Sequence, residues 1–104
     1  MFSFIETKLF TRLVQENLTD DEYRELQSFL IEEPRAGDVV PGSGGVRKLR
    51  WRVAGRGKRG GLRVIYFVKV EQCVIWMLTL YPKNVRDNIS AKALRQIRKE
   101  VENG

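Results

Sequence analysis

Between Val46 and Lys69 the chain carries nine lysines and arginines and no carboxylate, in a stretch whose apolar residues keep the spacing of β-strands. A segment of that double character has to bury one set of side chains while its charges stand clear. Val46–Val53 does so by alternation, with Leu49, Trp51 and Val53 on one face and Lys48, Arg50 and Arg52 on the other. Leu62–Val70 and Cys73–Tyr81 are apolar almost throughout, which predicts strands covered on both faces. The connections Gly55–Gly61 and Glu71-Gln72 are short, so the three runs are expected to form an antiparallel meander.

The first half supplies the cover. Phe2-Ser3-Phe4-Ile5-Glu6 reads as a first strand. Thr7 is placed to cap a helix with Leu9, Phe10, Leu13 and Val14 on one face, ending at Asn17. Thr19-Asp20-Asp21-Glu22 has the form of a capping box, opening a second helix that buries Tyr23, Leu26, Phe29 and Leu30 and stops before Pro34. Residues 34–45 read as one long loop crossing into the sheet. After the meander, Ser90 starts a last helix with Leu94, Ile97 and Val101 inward and Lys92, Arg95, Arg98 and Lys99 outward. The order β-α-α-β-β-β-α predicts an α+β fold in a single domain over residues 1–104, a mainly antiparallel twisted sheet packed by helices.

Charge divides the chain as sharply as structure does. Residues 1–45 hold four bases and nine acids, whereas residues 46–104 hold fifteen bases and four acids. Clustered cations favour a polyanion, because each phosphate neutralised releases a counterion. The plainer alternative is a solvated basic face that only keeps the protein soluble. The chain has no histidine, which removes His-dependent triads and nearly every zinc site. A lone cysteine, Cys73, makes no internal disulfide and fits a reducing cytoplasm. No apolar run approaches the roughly 18 residues of a membrane span, and Met1-Phe2-Ser3 lacks the basic start of a secretory signal. No cofactor is implied, and any catalysis has to run on Lys, Arg, Tyr and carboxylates.

Gly55-Arg56-Gly57-Lys58-Arg59-Gly60 spells the letters of a dinucleotide motif, but a strand follows it where that motif needs a helix N-terminus. It reads better as a hairpin presenting Arg56, Lys58 and Arg59, or as a plain exposed turn. Lys48, Arg50 and Arg52 share a strand face, and antiparallel pairing brings Arg63 beside them. Tyr81 and Lys83 close the last strand. A face of this kind suits RNA strand scission, in which a 2′-hydroxyl attacks the adjacent phosphate and negative charge builds in the transition state. A lysine crowded by other cations serves as base, and Tyr81 or another lysine protonates the leaving 5′-oxygen. The alternative for the same face is an edge strand guarded by charge. Trp51, Trp76 and Tyr66 read as core residues.

The pattern resembles the RelE/HigB family of bacterial toxins, and within it the HigB-like branch. Three blocks carry the resemblance: Gly37-Asp38-Val39 with Gly44–Arg50, Gly57–Tyr66, and Leu80–Asn84. It implies an RNase-like fold that enters the ribosomal A site and cuts mRNA without a metal. It implies a cognate helix-turn-helix antitoxin of HigA type, which silences the operon, so that operator DNA is met only through the antitoxin. The implied catalytic residues are Lys48, Arg50, Arg63, Tyr81 and Lys83, and Lys58 and Arg59 are implied contacts to rRNA or mRNA, or catalytic themselves; Arg47, Arg52 and Arg56 of the basic block are read as further RNA contacts. The well-studied RelE pattern has a base near the position of Asn84 and a late aromatic acid, neither of which is evident here, and Pro82 stiffens the segment between. The general acid stays open. So does a target shared with the ParE branch, which has this fold and poisons DNA gyrase, and so does a non-catalytic nucleic-acid-binding module.

Overall fold

The computed structural model describes residues 1–53, 61–84 and 89–103, so the hairpin bearing Arg56, Lys58 and Arg59 lies outside the described residues. Strand β1 (Ser3–Glu6) leads into α1 (Lys8–Asn17) and α2 (Asp20–Glu32), followed by β2 (Asp38–Val39), β3 (Arg47–Trp51), β4 (Leu62–Lys69), β5 (Val74–Pro82) and α3 (Ala91–Asn103). The five strands form one mixed sheet in the order β1-β5-β4-β3-β2. Strands β2 to β5 pair antiparallel in succession, and β1 lies parallel to β5 at the opposite edge.

Local chemistry sets the helices where the sequence expects them. The Thr7 hydroxyl accepts from the Phe10 amide at 2.9 Å and donates to the Leu78 carbonyl at 2.7 Å, so one side chain both caps α1 and stitches it to β5. Thr19 and Glu22 complete a reciprocal capping box at the start of α2. Glu6, at the end of β1, accepts from Thr11 and from Tyr23, each at 2.6 Å, tying the strand to both helices. Burial, and then that bond to the Glu6 carboxylate, push the Tyr23 hydroxyl well above its ordinary pKa.

The main core lies between α1, α2 and one face of the sheet: Phe10, Val14, Leu26 and Leu30 against Leu49, Val64, Tyr66, Met77 and Leu80. A smaller core on the other face joins Leu94 of α3 to Val46, Ile65, Phe67, Leu78 and Tyr81. Strands β4 and β5 are therefore covered on both faces, as their apolar runs require.

Four details differ from the sequence reading. Residues 34–45 are not all loop: Asp38 and Val39 pair with Lys48 and Arg47 as β2. The Tyr66 hydroxyl, deep in the core, holds this segment by donating to the Pro34 carbonyl and accepting from the Gly37 amide, both at 2.9 Å. Gly37 is needed there, since a Cβ would stand 3.0 Å from the Tyr66 ring. Cys73 is not in a strand but takes a left-handed turn with φ 54°, after a single 3-10 turn over Val70–Gln72. Leu9 sits at the margin of the α1 face and is 43% exposed. Arg98 does not point outward, for its guanidinium lies 5.1 Å from the centre of the Phe67 ring.

Candidate RNA-binding cleft

Strand pairing decides which cations meet. On β3, β4 and β5, Arg50 stands opposite Arg63, and Arg63 opposite Tyr81, in one cross-strand row. One step along, Lys48 faces Ile65, which faces Thr79. Residues directly opposite share a face of the sheet, so this row sits on the α3 side, with Tyr81 inside the apolar cluster there and Arg50 at the exposed end. Two guanidinium groups placed opposite each other repel, and a sheet accepts that arrangement most readily when an anion is meant to lie between them.

A cleft of about 520 Å³ opens at this end of the sheet, lined by Phe29, Leu49, Arg50, Trp51, Arg52, Arg63 and Lys83. It wraps the β3 margin: Phe29, Leu49 and Trp51 reach it from the α2 side, and Arg50 and Arg63 from the other. Among the described residues, four cations and no carboxylate line it. Of the acids of the first half, Glu16 and Asp21 pair with Arg12 and Arg24 on the outer faces of α1 and α2. Arg63 is only 6% exposed, whereas Arg50, Arg52 and Lys83 are exposed. A buried cation at the floor with exposed ones at the rim is an arrangement that can receive an anionic phosphodiester.

The floor is positioned by one glycine. Gly61 opens β4 with φ 71°, and a Cβ there would overlap the Trp51 carbonyl oxygen. Its own carbonyl accepts the Lys83 amide at 3.3 Å. The turn after β5 is thereby set beside the end of β3, and Lys83 joins Arg52 at the rim. The aromatic wall is Trp51 against Phe29, ring centroids 5.2 Å apart. Both rings pack on the core yet are only half-buried, so their outer edges face the cleft. Sequence reasoning filed them as core. The available signal was that Trp51 lies between Arg50 and Arg52 on a strand with so little cover.

The structure separates the other expected site residues. Tyr81 occupies the row but is buried in the α3-side core rather than lining the cleft. Lys48 is half-buried, one β3 step from Arg50. Arg47 is not part of the cluster: it falls on the opposite face, where its guanidinium donates to the Arg35 and Gly37 carbonyls at 3.1 and 2.7 Å and clamps the segment leading to β2. Arg56, Lys58 and Arg59 lie outside the described residues. Among the described residues no group of His, Cys, Asp and Glu side chains is assembled that would hold a metal ion, and no helix is long and apolar enough to cross a membrane.

Comparison with known proteins gives three findings. The family model described as the RelE toxin of the RelE / RelB toxin-antitoxin system matches residues 4–103. The structure of a mutant of the E. coli toxin RelE in the free state matches with a TM-score of 0.61 at 16% identity, over 93% of this chain and 96% of that one. The archaeal RelE-RelB complex from Pyrococcus horikoshii matches with a TM-score of 0.47 at 27% identity, over 82% of this chain and 98% of that one. The first of these structures shares the fold described above.

Proposed function

The chain belongs to the RelE toxin family, and from that premise we propose that it is a ribosome-dependent endoribonuclease that cuts mRNA during translation. The observation that carries this reading is the cationic cleft, with Arg63 held at its floor, three exposed cations at its rim and two aromatic rings in its wall. A phosphodiester seated between Arg50 and Arg63 would have its developing charge met by groups already in place, which removes the cost of reorienting solvent. The half-buried Trp51 ring, at the wall of the cleft, offers an aromatic contact for a base adjoining that phosphate.

In the proposed reaction the 2′-hydroxyl attacks the neighbouring phosphorus, its proton passes to a basic side chain, and the P–O5′ bond breaks as the leaving oxygen is protonated. The products are a 2′,3′-cyclic phosphate and a 5′-hydroxyl. Lys83, exposed on the rim, is our choice for proton transfer. Lys48 supports the phosphate field from one step along β3, and Tyr81 forms the wall behind Arg63. Arg52 holds the strand at the rim, and Arg56, Lys58 and Arg59 extend those contacts.

Within the family we assign the chain to the HigB-like branch, on the blocks Gly37–Arg50, Gly57–Tyr66 and Leu80–Asn84. Its partners are then the ribosome with bound mRNA and a cognate helix-turn-helix antitoxin that reaches operator DNA on its behalf, all in the cytoplasm. The test is controlled expression in a bacterium with mRNA 5′ ends mapped minutes after induction. New ends confined to translated frames, at a fixed offset within codons, are expected. Growth arrest with intact mRNA and an induced DNA-damage response would transfer the reading to gyrase poisoning. Absence of arrest would reduce it to a binding module.

A further inference from the structure

Helix α3 carries a second cationic surface that the cleft does not use. At about 100° per residue, Arg98, Arg95, Lys99 and Lys92 fall in one arc of roughly 120°, beside the apolar stripe of Leu94, Ile97 and Val101. Glu100 and Gln96, joined by a 3.4 Å contact, lie on the far flank. Contacts with the loop before β3 fix which way the arc faces. A Cβ on Gly42 would stand 3.6 Å from the Ala91 Cβ, and one on Gly44 would stand 3.5 Å from Arg98 Cδ and 3.8 Å from Arg95 Cγ. That loop runs directly into Val46 and β3. The arc is therefore turned toward the same side of the sheet as Lys48 and Arg50, which follow Val46 along one face at steps of about 6.7 Å.

Helix stability does not account for these charges. Lys92 sits in the first turn, where the helix dipole disfavours a cation, and the last turn holds no base. Nor does the surface have the make-up of a protein-docking patch. Such patches centre on apolar or aromatic anchors, and the large exposed apolar residues described are Met1, Ile5, Leu9, Val39 and Val70, none of them on α3.

We propose that Lys92, Arg95 and Lys99 form an RNA-backbone contact surface that continues the cleft past Lys48 and the glycine loop, and holds the strand flanking the cleavage point. This rests on the reading of the cleft as an RNA site, and the test separates the two. The full-length protein is titrated with 2′-O-methyl oligoribonucleotides, which lack the attacking hydroxyl, of roughly 4 and roughly 16 nucleotides, the span of single-strand sites. Binding is read by fluorescence anisotropy across a KCl series.

The Lys92→Gln/Arg95→Gln/Lys99→Gln variant keeps good helix formers in α3. It is expected to bind the long RNA at least tenfold more weakly, with a salt slope shallower by about 2, while its affinity for the short RNA matches wild type. A Lys92→Arg/Lys99→Arg variant keeps wild-type binding of both lengths. Equal binding of the long RNA by the triple variant and wild type overturns the α3 proposal and leaves the cleft reading intact. Failure of wild type to bind either length overturns both. If the triple variant binds RNA normally but loses capture of an acidic partner protein, α3 is a protein-docking face and the proposal is wrong.

Discussion

The face of the sheet under α1 and α2 and the face under α3 are built from the same strands and end with opposite chemistry. Under α1 and α2, Phe10, Leu26 and Leu30 close on Val64, Tyr66, Met77 and Leu80, every one fully buried. Under α3 a single helix supplies Leu94, with Ile97 and Val101 partly buried, and along the row Tyr81–Arg63–Arg50 burial gives way to exposure at Arg50. The closed face spends its side chains on stability. On the part-covered face, strand alternation that would otherwise point into a second core instead points cations at the end of the sheet. The site lies where the cover runs out, and its Arg63 is still buried enough to be held in place.

That contrast is easiest to break on the closed face. Phe10→Ala empties a fully buried position and is expected to cost about 3–5 kcal/mol in urea unfolding, with toxicity lost through lack of folded protein. On the open face the effects should be reversed in kind. Arg63→Gln is expected to lower the rate of mRNA cleavage by about 10²–10³-fold, the scale of removing one preorganised group from an oxyanion site. Its unfolding free energy should change by less than that of Phe10→Ala, which separates loss of cleavage from loss of fold. Full cleavage by a folded Arg63→Gln protein would refute the assignment of the floor.

Tyr66→Phe tests the link between the faces, since its ring lies in the closed core and its hydroxyl holds the segment before β3. Leaving the Gly37 amide and Pro34 carbonyl without that partner is expected to cost about 1–3 kcal/mol. The same hydroxyl sharpens the comparison through pH. Burial raises the pKa of Tyr66, only partly offset by the Gly37 amide, and burial also raises that of Tyr23. A raised pKa means that the fold favours the neutral phenol. Its contribution is fully present below the unfolded value of about 10 and declines as pH rises above that value, where the unfolded chain ionises first. Stability should therefore fall from about pH 10 upward, and less steeply in Tyr66→Phe and Tyr23→Phe, as followed by chemical denaturation at stepped pH. The smallest effect is expected at Thr19→Ala, which removes half of the α2 capping box and should cost about 1 kcal/mol in the same unfolding assay, with cleavage unchanged.

Much of this was legible in the chain because the governing interactions are local. Thr7, the Thr19–Glu22 box, Pro34 and the alternation of Val46–Val53 act over a few residues, and each element formed where those signals lie. Arg50, Arg52 and Arg63 were readable as neighbours because a meander forces adjacent strands together and period-2 alternation sets Arg50 and Arg52 on one face, whereas Lys83, past the end of β5, was not. Less was legible wherever a partner comes from far along the chain. The two-residue β2 has no strand signal of its own and exists because Tyr66, 29 positions beyond Gly37, holds the segment against β3. Arg47 and Arg98 looked like further free cations, but one clamps backbone carbonyls and the other lies over Phe67.

The sequence by itself determined the three helices and the four longer strands, their order, the separation of acid from base and the cationic character of the second half, since hydrogen-bonding periodicity and charge are properties of neighbours. Tertiary structure alone decided which cations line the cleft. Register set Arg50 against Arg63, the close approach of Gly61 to Trp51 brought Lys83 to the rim, and the fall in burial from Tyr81 to Arg50 left that end open. Those are relations between segments far apart in the chain, fixed only when packing selects one arrangement of them.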